Sequence, residues 1–169
     1  MLPAFRRAFE ELIDPAQRSG GELRRNNGAV APWVLGLATF YDQDVRPFAG
    51  LLAWELSRLG RFAAAEPLFD ATHLMHPRDP DASLSFARCA AVLDHWPQVE
   101  AATSSTLAAV NREDPAFAEM RYLRALALAR LGRGGEALRE CEWVVAHAAP
   151  GSALQAAAAE EARGLRGGR

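Results

Sequence analysis

Leu59-Gly60-Arg61-Phe62, followed by Ala65, Phe69 and Pro77, is the stretch that decides how this chain folds. A glycine ends one apolar helical run, an alanine five residues later opens the packed face of the next, and a bulky residue follows four on. The pattern returns in degenerate form around Asp94 and more clearly around Gly132, so the intervals between turns are 34 and 38 residues. A helix–turn–helix unit recurring at such a period predicts an all-α array of stacked antiparallel pairs. Arrays of this kind usually bind other proteins rather than perform chemistry.

The residues on either side of each turn carry the same periodicity. Before Gly60, Phe48, Leu52, Leu56 and Leu59 share one helical face; after it, Ala65, Leu68, Phe69 and Thr72 repeat the i, i+3, i+4, i+7 spacing. Pro77 stops that helix. Asp79-Pro80 starts another, with Asp as N-cap and Pro at the first helical position, where its missing N–H costs nothing. Asp114-Pro115 repeats the device before a third pair. The second helices of the later pairs present Val99, Ala102, Thr103, Thr106 and Val110, then Ala137, Leu138, Cys141, Val144 and Val145. The longer second interval places about four extra residues at Arg112-Glu113-Asp114-Pro115. Pro67 falls in the first turns of a helix, so that helix is expected to start late or irregularly.

Three regions follow. Residues 1–45 hold an amphipathic helix over 2–13 (Leu2, Phe5, Phe9, Leu12, Ile13), a polar linker over 18–28 and a further helix over 30–41 with Trp33, Leu37, Phe40 and Tyr41. Residues 46–151 hold about three repeats, 46–79, 80–113 and 118–151. Residues 152–169 hold an Ala-rich capping helix over 153–166 and a tail; an end repeat needs such a cap because it otherwise exposes its stacking face.

These residues resemble the tetratricopeptide-repeat superfamily, whose pattern places a small residue at the eighth position, Gly at the fifteenth, an aromatic two later, Ala at the twentieth, an aromatic at the twenty-fourth, a small residue at the twenty-seventh and Pro at the thirty-second. The first repeat gives Ala53, Gly60, Phe62, Ala65, Phe69, Thr72 and Pro77. The second gives Ala87, Asp94, Trp96, Val99, Thr103, Thr106 and Asn111, and the third Ala125, Gly132, Gly134, Ala137, Cys141, Val144 and Ala149. Arg124 stands where the pattern has Leu, which suggests a register shift in the third repeat. The resemblance implies a right-handed solenoid. By size and layout the chain is similar, loosely, to the class II chaperones of bacterial type III secretion, which join an N-terminal helical segment to three such repeats.

Composition narrows the function. Half of the 169 residues are hydrophobic and 35 are Ala, while Val and Ile are sparse, which favours closely approaching helices over strands. A formal net charge of −2 argues against a general nucleic-acid binder. All 19 basic residues are Arg, a bias best read as genomic composition. Cys89 and Cys141 sit far apart inside apolar helical patterns, so buried free thiols in a reducing, cytoplasmic setting are expected rather than a disulfide or metal pair. The first residues lack a signal-peptide core, and no apolar run is long enough to span a bilayer. His73 and His76 lie near Asp79 without a firm further ligand, and His95 and His147 are isolated; no metal or cofactor is expected. The acidic pairs Glu10-Glu11, Asp42/Asp44 and Glu160-Glu161 read as solvated faces, and no nucleotide-loop, hydrolase or zinc-protease motif occurs. The chain is not expected to be an enzyme.

In the family, the first helix of each pair lines a concave groove that holds a peptide or helix. Those positions fall here on Pro47, Trp54, Ser57 and Arg58; on Leu84, Arg88 and Val92; and on Tyr122, Leu126 and Arg130. An aromatic and apolar floor with three arginines suits a partner protein with apolar anchors and some acidic groups. Trp54 and Tyr122 alternatively pack against the N-terminal helices. The carboxylate-clamp subtype is not matched, since its positions hold Gly50, Trp54, Ser85, Glu119 and Leu123. The leading expectation is a cytosolic chaperone or adaptor. Its rival is a homo-oligomeric scaffold, a homodimer included, that uses helix 2–13 for self-association. Neither reading involves nucleic acid or membrane insertion.

Overall fold

The three turns singled out by the sequence are built alike. Gly60 has φ 73°, Asp94 φ 60° and Gly132 φ 77°, all in the left-handed region. In each, the left-handed residue donates its N–H three residues back: Gly60 to Ser57 O at 3.0 Å, Asp94 to Ala91 O at 3.2 Å, Gly132 to Ala129 O at 3.1 Å. The next residue donates five back: Arg61 to Leu56 O at 2.8 Å, His95 to Ala90 O at 2.9 Å, Arg133 to Leu128 O at 2.8 Å. This pair of bonds is the Schellman motif, which satisfies carbonyls that a helix end leaves open. The same residue then opens the following helix, accepting from Ala65, Val99 and Ala137 N–H respectively. The spacing of five from the turn residue thus marks the first residue of the new helix held by an i→i−4 bond. All three side chains there are fully buried.

Asp94 is the non-glycine member of this set. A Cβ in the left-handed region costs an L-residue about 1–2 kcal/mol, less for Asp, and Gly in turn gives the unfolded chain more freedom. Asp94→Gly is therefore expected to stabilise the fold by about 0.5 kcal/mol, read as a rise in the urea midpoint at unchanged m-value.

The computed structural model describes residues 49–167, all of whose regular elements are helices. The chain divides into two compact units, Met1–Met75 and His76–Arg169. The described part of the first holds α1 (Ala49–Arg58) and α2 (Phe62–Met75), packed on each other. Leu52, Ala53 and Leu56 of α1 and Ala65, Leu68 and Phe69 of α2 are buried. Helix 2–13, linker 18–28, helix 30–41, Pro47 and Phe48 lie outside the described residues.

The second unit holds α3 (Pro80–Val92), α4 (Trp96–Leu107), α5 (Pro115–Arg130), α6 (Gly134–His147) and α7 (Ala153–Gly167). Each packs on the next in the chain, and α3 also meets α5 while α5 meets α7, so α3, α5 and α7 form one row. Asp79 and Asp114 cap α3 and α5, accepting from Asp81 N–H at 3.0 Å and Ala116 N–H at 2.8 Å, with Pro80 and Pro115 as the first helical residues. Alanines let the row close. Ala125, Cys141 and Ala162 form one buried cluster across α5, α6 and α7, and burial pushes the Cys141 thiol up to about 11. Cys89 is buried as well. Between α3 and α4 a polar relay is sealed in: Thr106 Oγ1 donates to Ser83 Oγ at 2.7 Å, and Ser83 Oγ donates to Asp79 O at 3.1 Å.

Three details differ from the sequence-based expectation. The α2 helix starts at Phe62 and runs through Pro67 instead of starting late. Pro67 and Ala63 are both exposed, so the carbonyl that loses its partner is on the wet side, where water satisfies it. The extra residues of the long interval are shared: the connection 108–114 is longer than 76–79, and α5 has 16 residues against 13 in α3. Arg124 marks no register shift, because the turn at Gly132 and the buried Ala137 keep the spacing of the other pairs. Its Nη1 donates to Glu140 on α6 at 3.0 Å, which makes a guanidinium acceptable at a half-buried position.

Candidate functional site

Two stripes of side chains that are not fully buried run along the α3–α5 row. On α3 they are Asp81, Ser85, Arg88 and Val92, and on α5 Glu119, Tyr122, Leu126 and Arg130; spacings of three and four keep each set on one face. Of the residues expected there, Val92 is open at 57% exposure, whereas Leu84, at 6%, belongs to the core. Leu126 is half-buried. Tyr122 is also half-buried, packed on the cluster of Val144, Ala148 and Ala158, so its ring closes the α5–α7 seam. Burial first, and the Glu161 charge second, raises its phenol above the usual tyrosine range.

None of the three expected arginines stands alone. Arg88 Nε and Nη2 donate to Glu119 Oε1 and Oε2, both at 2.6 Å, a bidentate bridge from α3 to α5. Those hydrogen bonds hold the Arg88 guanidinium protonated more firmly than usual, against a smaller opposing effect of burial. The Arg130 guanidinium lies 5.6 Å from the Trp96 ring centroid. In the first unit, Arg58 Nε donates to Glu55 at 2.8 Å, one helical turn earlier.

Also in the first unit, Trp54 is 56% exposed on α1, with Leu51 at 54% one turn before it. Ser57 is half-buried and spends its hydroxyl on Trp54 O at 2.8 Å. A tryptophan left this open on a helix is unusual for a surface with no binding role.

Sequence reasoning missed the partners: Glu119, Glu55 and Trp96 decide what the three arginines can do. It also missed a seam between α5 and α6. There the Arg121 guanidinium lies 4.4 Å from the Trp143 ring centroid and 5.3 Å from that of Phe117, while its Nη1 donates to Glu140 at 2.8 Å. Phe117 meets Trp143 edge-on at 5.3 Å, and His147, isolated in sequence, stacks on Trp143 at 4.2 Å. An i, i+4 Trp–His pair and an Arg within one turn of a Phe were the available signals. Among the described residues, no three His, Cys, Asp or Glu side chains come together as a metal site, and no helix is long and apolar enough to cross a membrane. Compared with models of known protein families and with curated proteins, the chain matches none.

Proposed function

We propose that this chain is a helical-repeat protein of the tetratricopeptide type whose task is to hold a segment of another protein, with no chemistry of its own. The observation that carries the reading is the threefold recurrence of one turn, at Gly60, Asp94 and Gly132, each followed five residues on by a fully buried residue. Support for the binding role comes from the open apolar side chains of the first helices of the pairs, Leu51 and Trp54 on α1 and Val92 on α3. Within this reading the family likeness extends to the secretion chaperones named above: a cytoplasmic protein that covers an aggregation-prone segment of its client until handover.

Trp54 is the test. It is exposed, so Trp54→Ala removes contact area without opening a core cavity. The full chain is purified from the cells that make it, co-purifying proteins are identified by mass spectrometry, and the principal one is titrated against both forms. Trp54→Ala is expected to weaken binding by at least about 1 kcal/mol, roughly fivefold or more, with an unchanged melting temperature. A partner bound equally well by both forms would take Trp54 out of the site, and a chain that retains no partner would remove the reading.

A further inference from the structure

We draw no further inference here: the strongest candidate, the surface patch of Leu74 and Met75 at the end of α2, 68% and 38% exposed, is an apolar face, and nothing among the described residues shows what covers it.

Discussion

Leu128→Ala is expected to destabilise the chain by about 3 kcal/mol, in the range found for buried leucines truncated to alanine. Leu128 is fully buried on α5, and its carbonyl accepts the Arg133 N–H that closes the third turn. Urea denaturation followed by far-ultraviolet circular dichroism gives the value directly. A loss under about 1 kcal/mol would mean that Leu128 is not in a packed core.

The second large effect concerns a carboxylate. Glu140 on α6 serves two guanidiniums of α5, accepting from Arg121 Nη1 at 2.8 Å and from Arg124 Nη1 at 3.0 Å. Its side chain is 13% exposed and those of the arginines 22% and 25%. Glu140→Ala removes the carboxylate that bonds two half-buried guanidiniums, which then repel each other with less compensation. For fully buried pairs such a removal costs about 3–5 kcal/mol; with this much solvent access, about 2 kcal/mol is expected. The penalty should shrink when Arg124 is replaced as well. When Glu140→Ala is made in an Arg124→Leu chain, a single guanidinium, Arg121, is left without its carboxylate, and it still has the Trp143 and Phe117 rings. A double-mutant cycle measures that coupling, and strict additivity of the two substitutions would contradict the shared role of Glu140.

What the sequence made legible was local and periodic. Glycines at 60 and 132 announce left-handed turns because little else tolerates φ above zero, and Asp-Pro at 79–80 and 114–115 announces helix starts because both residues suit the first turn. Asp94 could be placed only by its distance from Gly60, since an Asp in a turn has many readings; its φ of 60° shows that it holds the same conformation as the glycines. The buried faces of α2, α4 and α6 also followed from period alone.

The surface was less legible, because charges choose partners across distances that sequence spacing does not encode. Arg88 and Glu119 are 31 residues apart and Arg121 and Glu140 are 19, on different helices in each case. Three arginines read in isolation suggest an acidic ligand; in the structure Glu55 and Glu119 already pair with two of them, and the third lies over the Trp96 ring. Leu84 shows the same limit, for an apolar residue assigned to a groove by family position lies in the core here. Pro67 shows the converse. It reads as a sign that helix α2 starts late or irregularly, and the helix runs through it with the affected turn on the exposed side.

The recurrence of one turn in three places is the centre of this account, and backbone chemical shifts measured by NMR on the full chain test it most directly. A left-handed φ is expected at residues 60, 94 and 132, with helical shifts on both sides of each and contacts between the Ser83 and Thr106 side chains across α3 and α4. A right-handed φ at Asp94, with one unbroken helix from Pro80 to Leu107 in place of α3 and α4, would contradict it.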